Sequence, residues 1–362
     1  MGFSLIELMV AMALFMVVGT AAVSLFRTHA PLFATQQNQA GLNIGMRSAI
    51  AQMQLDVVNA GSGFYPGASM PFVPVGITIV NTAGAFDSLN VITTDNTMPA
   101  AHPSGNSLGT IPADTSVKDL WLYMAPPAPA PPPTAAQLTA WAANLTANLT
   151  ATAKSNEFLL VQGGSTDFSS AGESSLNVTS GPKMTTLILT AVIGVEGNSI
   201  HVQHAPTTSA GVPTTLPDPF GVINVGDDAK CIQSFDPNQD YAIRLTGVTY
   251  TVDNSDPTDP KLVRTPLGGA VAGSPNVIAE QIVGFKVGAW STTYSLPKKT
   301  GSDPTASGFY SFNSQPDYAN DWTSIRAVRI NLTGRTPPNS TPGNTVSTQM
   351  ISVVINPRNL SM

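Results

Sequence analysis

The chain has 362 residues, room for one large β-rich fold or for two average domains, and length alone does not choose between them. Charged residues make up 10% of it against a usual ~25%, and the formal net charge is −6, so the clustered Lys and Arg of a phosphate-binding face are missing and nucleic acid is not an expected ligand. A single cysteine, Cys231, excludes an intrachain disulfide framework or a thiolate metal cluster, and is expected to be a small buried residue.

From Phe3 to Phe26 the sequence FSLIELMVAMALFMVVGTAAVSLF contains one ionisable residue, Glu7. As a helix this stretch would reach ~36 Å, enough to cross a bilayer. No basic n-region, short apolar core or small-residue cleavage site marks it as a secretory signal, so it is expected to stay in the mature protein. An ordinary single-span anchor accounts for the hydrophobicity but leaves Glu7, near one end, a carboxylate without a partner.

The run Gly2-Phe3-Ser4-Leu5-Ile6-Glu7-Leu8 resembles the processing motif of type IV prepilins and type II secretion pseudopilins. The resemblance implies a cut by a prepilin peptidase between Gly2 and Phe3, N-methylation of Phe3, and an assembly role for Glu7. Its carboxylate would neutralise the amino group of a neighbouring subunit in the low-dielectric core of a filament. The resemblance also implies a single-pass protein of the bacterial inner membrane with its head in the periplasm, carried to a cell-surface pilus after assembly. Family leaders carry several basic residues before the Gly, whereas only Met1 and Gly2 precede Phe3 here, so the leader is read as very short or as starting upstream of Met1.

After Arg27, Leu42, Met46, Ile50, Met53 and Val57 follow helical spacing, with Asn43, Arg47 and Gln54 elsewhere around the helix. The helix is expected to continue to about Ala60 and to stop at Gly61-Ser62-Gly63, with its Leu and Met stripe packed on the protein's own head. Pro31, Gly41 and Gly45 are expected to bend or loosen this shaft. The division that follows is residues 1–2 as leader remnant, 3–61 as N-terminal helix with 3–26 transmembrane, and 62–362 as head.

In the head, Val328, Ile330 and Leu332 alternate with Arg329, Asn331 and Thr333, and Ile351, Val353 and Ile355 alternate with more polar positions except Val354. Further strands are expected at Leu89–Thr93, Phe158–Gln162, Thr185–Val195, Ala242–Val252 and Ile282–Ala289, between Gly-, Pro-, Asn- and Asp-rich connections. The fold class is therefore α+β, a long N-terminal helix packed on a largely antiparallel β-rich head. Residues 125–154, a proline-rich stretch from Ala125 to Pro133 followed by a helix from Thr134 to about Lys154, read together as an insertion serving as an external spacer.

No constellation of residues in the sequence points to catalysis or to metal binding. His201 and His204 stand three apart in a predicted strand and so point to opposite faces, which disfavours shared metal ligation. Asp253, Asp256 and Asp259, and a second region with Asp227, Asp228, Asp236 and Asp240, offer oxygen ligands without the EF-hand spacing and read as solvated turns. No phosphate loop, nucleophile elbow or zinc-protease helix is present, so neither a cofactor nor an enzymatic activity is expected. Asn144, Asn148, Asn177 and Asn331 each begin an Asn-x-Thr tripeptide, a pattern frequent by chance in a Thr-rich chain, and no glycan is assigned.

The shaft from Gln39 to Arg47 and from Gln52 to Gly61, with Ala279–Val287, Ile325–Ile330 and Pro357–Leu360, is similar to the PilW group of minor pilins and the related J pseudopilins. This implies a minor pilin that helps initiate, assemble or cap a type IV pilus, with a J-like pseudopilin of type II secretion and an adhesive tip as alternatives. The implied partners are the prepilin peptidase, other minor pilins, the major pilin or pseudopilins, the inner-membrane assembly platform and membrane lipid.

Overall fold

The computed structural model describes residues 4–62, 76–80, 82, 84–95, 97–103, 118–124, 131–149, 157–162, 183–205, 241–268, 274–291, 325–337 and 346–358. Cys231 and the acidic region 227–240 lie outside them, as do Met1, Gly2 and Phe3.

Helix α1 spans Leu5–Val58 without interruption. It runs through Pro31, Gly41 and Gly45 without a break. Pro31 removes the backbone donor that would serve the Arg27 carbonyl, and one turn later Thr35 Oγ1 donates to the Pro31 carbonyl at 2.9 Å. The helix ends where expected. Asn59 donates from Nδ2 to the Leu55 carbonyl at 2.9 Å, and Gly61 adopts φ +70°, a conformation in which a side chain would be strained. Arg358 N–H, from the far end of the chain, satisfies the Val58 carbonyl at 3.1 Å.

Among the described residues thirteen strands follow: β1 Ile77–Val80, β2 Ser88–Thr94, β3 His102–Pro103, β4 Lys118–Tyr123, β5 Glu157–Gln162, β6 Lys183–Glu196, β7 Ser199–Ala205, β8 Tyr241–Asp253, β9 Lys261–Leu267, β10 Asn276–Glu280, β11 Ile282–Ser291, β12 Ile325–Arg335 and β13 Thr348–Ile355, with helix α2 at Ala135–Leu149 between β4 and β5. All the strand ladders are antiparallel. Ten strands form one sheet in the order β1-β2-β8-β5-β6-β7-β4-β3, with β9 and β10 branching from β8, and three form a second sheet, β11-β12-β13. The α+β layout expected from the sequence is the one observed.

Long β8 is the hinge of the architecture. Its first residues pair with β5, and the remainder pairs with β2 on one edge and β9 on the other. Ala101, beside β3, exchanges two backbone hydrogen bonds with Ala242 of β8, so the path β8-β5-β6-β7-β4-β3 curls back to its start. Two apolar cores result. One joins the C-terminal half of α1 to β1, β2, β8, β9 and the three-stranded sheet, with Met46, Met53, Val57, Val328, Ile330 and Leu332 wholly buried. The other fills the curled sheet with Leu120, Leu122, Leu189, Ile200 and Val202, and is closed by Leu138 and Leu145 of α2.

Of the segment 125–154 read as an external spacer, residues 135–149 are not one, because they form α2 and close a core. Leu138, Trp141, Ala142, Leu145 and Leu149 recur at helical spacing and form a stripe that must be covered, and the curled sheet covers it. The helix starts at a capping box in which Thr134 Oγ accepts from Gln137 N at 3.3 Å and Gln137 Oε1 accepts from Thr134 N at 2.8 Å.

Candidate functional site

The N-terminal segment is the part of the chain built least like the rest. From Leu5 to Phe26 its large apolar side chains lie open, Phe15 at 79% and Phe26 at 73% exposure, whereas the same helix is wholly buried at Met46 and Met53. One helix therefore carries two environments: ~33 Å of apolar surface left uncovered by the described residues, then a stripe inside the head. Two threonine hydroxyls, one on this stretch and one just past it, bond to the helix's own backbone. Thr20 Oγ1 donates to the Met16 carbonyl at 2.7 Å and Thr28 Oγ1 to the Ser24 carbonyl at 3.0 Å, which hides both hydroxyls from an apolar surrounding.

Glu7 is not the partnerless carboxylate the sequence reading made it. Ser4 is the N-cap, its Oγ accepts from Glu7 N at 3.3 Å, and Glu7 Oε2 accepts from Ser4 N at 2.9 Å. Two of the helix's orphan donors are thereby satisfied, and the negative charge lies at the positive end of the helix dipole. The signal was legible, because Ser-x-x-Glu ahead of an apolar run is a capping-box signature. Gly2 and Phe3, the expected cleavage and methylation positions, fall outside the described residues.

The shaft meets the head through a close approach and a polar hub. At Gly334 of β12 an added Cβ would stand 2.7 Å from Leu42 Cδ1 and 2.8 Å from Met46 Sδ, so the absent side chain is what lets α1 lie so near the sheet. At the other end of the contact, Asp56 accepts from Arg264 Nε at 2.9 Å and from the Tyr250 hydroxyl. Burial first, then the bond to Asp56 and its charge, push the Tyr250 phenol upward, so it stays protonated. Burial works against the charge of Arg264, but the bond and charge of Asp56 outweigh it and raise its pKa.

The remaining candidates are held by internal bonds. Asp253 accepts from Ser255 N at 2.9 Å, and Asp256 accepts from Thr258 N at 2.9 Å and Oγ1 at 2.6 Å. These bonds hold both carboxyls below the usual range, as turn-forming aspartates. Asp259 accepts from Gln281 Nε2 at 2.9 Å and pairs with Lys261 at 3.1 Å. His201 stands between two carboxylates, Glu196 and Asp119, an arrangement that the sequence reading did not foresee.

A cavity of about 770 Å³ opens beside α2 between Met98, Met124, Pro132, Trp141 and Asp95. Among the described residues its one ionised wall group is engaged: Asp95 accepts from Arg244 Nε at 2.8 Å and Nη2 at 2.5 Å, and from Thr97 N at 2.8 Å. Burial would raise the Asp95 carboxyl, but the Thr97 bonds and the Arg244 charge override it and lower the pKa. Burial in turn lowers Arg244, from an ordinary value so high that it stays charged. Arg244 also donates to Asn144 Oδ1 at 2.6 Å, tying α2 to β8.

Residues 2–23 match the family model described as the prokaryotic N-terminal methylation motif. The chain thus carries the methylation motif of prepilin-type proteins at the start of a long apolar helix, an arrangement that points to a membrane-anchored protein of the type IV pilin-like or pseudopilin kind. No curated protein and no solved structure matches the chain.

Proposed function

We propose that this chain is a minor-pilin-like subunit, anchored in the bacterial inner membrane by residues 3–26 with its head in the periplasm, that helps initiate, assemble or cap a type IV pilus. Its work is assembly and not catalysis. The observation that carries this reading is the single continuous helix whose first half bears the methylation motif on an uncovered apolar surface and whose second half is locked into the head. A uniformly buried helix would belong to a core, and a signal sequence would have no reason to continue into one.

In this reading the prepilin peptidase cuts between Gly2 and Phe3, Phe3 is methylated, and the open helix then packs against the helices of other minor pilins and the major pilin on an inner-membrane assembly platform. Glu7 supplies the charge that meets a neighbouring amino group once water is excluded. The test is intact-mass and N-terminal peptide analysis of membrane-derived protein, with filament counts in a strain lacking the gene. A methylated N-terminus at Phe3 and fewer filaments are expected. Retention of Met1-Gly2 in cells with an active peptidase defeats the proposal. Normal filaments with defective protein export transfer the chain to the pseudopilins of type II secretion.

A further inference from the structure

We infer that the outer edge of β13 is a docking strand, which takes an extended, uncharged segment of a different anchored subunit as a fourth strand of the three-stranded sheet. The inference rests on the assembly reading above and names a surface through which assembly acts.

The ladder fixes which groups point outward. Thr336 N–H donates to the Ser347 carbonyl at 2.8 Å, and from there the β12–β13 register runs without a shift from Arg335↔Thr348 to Val328↔Ile355. In an antiparallel pair, bonded and unbonded positions alternate. Gln349, Ile351, Val353 and Ile355 therefore bond to β12, and Thr348, Met350, Ser352 and Val354 turn their N–H and C=O groups the other way. Among the described residues no strand pairs with that side. The side chains agree: Ile351 and Val353 pack on the core, whereas Met350 is 66% and Val354 46% exposed.

Native edges are usually blunted by charge, proline, a bulge or short length. The terminal strands of the large sheet follow that rule. β1 has four residues, β3 has two and ends in Pro103, and β10 is bulged between Val277 and Ala279 and ends in Glu280. The outer edge of β11 is covered, because Phe285 N–H donates to the Ala85 carbonyl at 3.0 Å and its own carbonyl accepts from Asp87 N–H at 2.8 Å. β13 has none of these protections. It has eight residues in unbroken register and no proline, and no charged residue stands between Arg335 and Arg358. A charged side chain laid beside it would meet no opposite charge on β13, so the strand that fits is uncharged and apolar at alternate positions.

Symmetry excludes a second copy. Two β13 strands pairing antiparallel are related by a two-fold axis normal to the sheet, and that rotation reverses a helix lying against the sheet. Helix α1 lies there, with Leu42 and Met46 over Gly334 of β12 and the Val58 carbonyl on Arg358 N–H. The two apolar segments would then point in opposite directions and could not enter one membrane from the same side. With the other terminal strands blunted, the added strand comes from a different subunit.

The experiment uses the full chain in cell membranes, with the photoreactive residue p-benzoylphenylalanine replacing Met350, or replacing Asn254 in an exposed turn as the control. Adducts are digested and the joined peptide is sequenced by mass spectrometry. The expected product joins β13 to an uncharged, extended stretch in the head of another protein that carries an N-terminal methylation motif, and is absent from the control. Ser352→Pro removes an outward donor and Ser352→Lys puts a charge on the edge while leaving the β12 ladder whole. Each should lower the adduct about tenfold, the scale of one strand hydrogen bond lost with its acceptor left unpaired, and Ser352→Thr should keep it. In the isolated chain in detergent, the amides of Met350, Ser352 and Val354 should exchange about tenfold or more faster than those of Ile351 and Val353. Uniform protection along β13, adducts to a second copy, full adduct yield from Ser352→Lys, or a yield no higher than the control overturns the docking strand. Cleavage and methylation at Phe3 without an adduct removes the docking strand alone, whereas retained Met1-Gly2 strikes the assembly reading itself.

Discussion

Replacing Gly334 with Ala tests how the shaft is held. The new methyl would sit 2.7 Å from Leu42 Cδ1 and 2.8 Å from Met46 Sδ, both closer than carbon and sulfur atoms pack, so α1 or those side chains must move. Leu42 lies at the margin of the core and can turn aside, whereas Met46 is wholly buried and its neighbours are fixed. Overpacking a core position costs about 1–3 kcal/mol, and relieving a glycine in the middle of a strand returns roughly 0.5–1 kcal/mol. The expected net loss is therefore up to ~2.5 kcal/mol and centres near ~1 kcal/mol, a fall in Tm of about 2 °C or less per kcal/mol for a chain longer than about 250 residues. The assay is urea unfolding of the full chain in detergent, read as a double-mutant cycle with Leu42→Ala. Removing the leucine side chain vacates the space the new methyl needs, so the double variant should lose less than the two single losses added together. Equal or higher stability of Gly334→Ala, or strict additivity in the cycle, would show that the shaft does not rest on β12 at this point.

Asp56→Ala strands the Tyr250 hydroxyl and Arg264 together, and should cost about 1–3 kcal/mol in the same unfolding assay, with a smaller loss in a Tyr250→Phe background. Leu138→Ala and Leu145→Ala should each cost ~2–5 kcal/mol, measured by thermal melting, because α2 closes a core; near-neutral effects would restore the spacer reading. Asp95 has a carboxyl held below its ordinary pKa in the folded state, so the stability it confers is present above the unfolded value and is lost as pH falls through the lowered one. Urea midpoints from pH 7 down to pH 2 should therefore fall less steeply for Asp95→Asn than for the wild type.

What was legible in the sequence was what obeys a period. The stripe Leu42, Met46, Ile50, Met53, Val57 lies in the core, and the alternation at Val328, Ile330 and Leu332 marks the buried face of β12. The five further strands read from the sequence are all observed, as β2, β5, β6, β8 and β11. Of the strands not foreseen, β1 has four residues, β3 two, and β9 includes Pro266, past the point where β10 stops pairing with it, whereas β4 and β10 carry neither mark and were missed all the same. The polar hubs were illegible for a different reason. Asp95 and Arg244 are 149 positions apart, as Asp56 and Arg264 are 208 apart, and no local spacing encodes such a pairing. The capping box at Ser4 and the apolar stripe of α2 were local and were still missed. Both were masked by a stronger local pattern, the apolar run in one case and the proline-rich stretch in the other.

The partner that Glu7 has in the isolated chain changes what its substitution tests. In the proposed assembly Glu7 serves a neighbour's amino group, yet in the lone subunit it already caps its own helix through Ser4 N. Glu7→Ala removes both roles at once, and loss of a cap alone costs about 0.5–2 kcal/mol, enough to fray the first turn next to the expected cleavage point. Glu7→Gln separates them, because Gln fills the third position of a capping box as Glu does but carries no charge. Ser4→Ala makes the complementary change, keeping the charge and removing the serine side of the box. If charge is what assembly needs, Glu7→Gln should be processed at the wild-type rate and still lose partner capture and filaments. Ser4→Ala should then show the reverse, slower or less uniform cleavage with filaments retained. Processing is read by intact mass, capture by co-purification of other pilins, and filaments by counting. Should Glu7→Gln assemble normally while Glu7→Ala does not, Glu7 acts through the helix end and not through a charge pair, and the assembly role passes from its electrostatics to its cap.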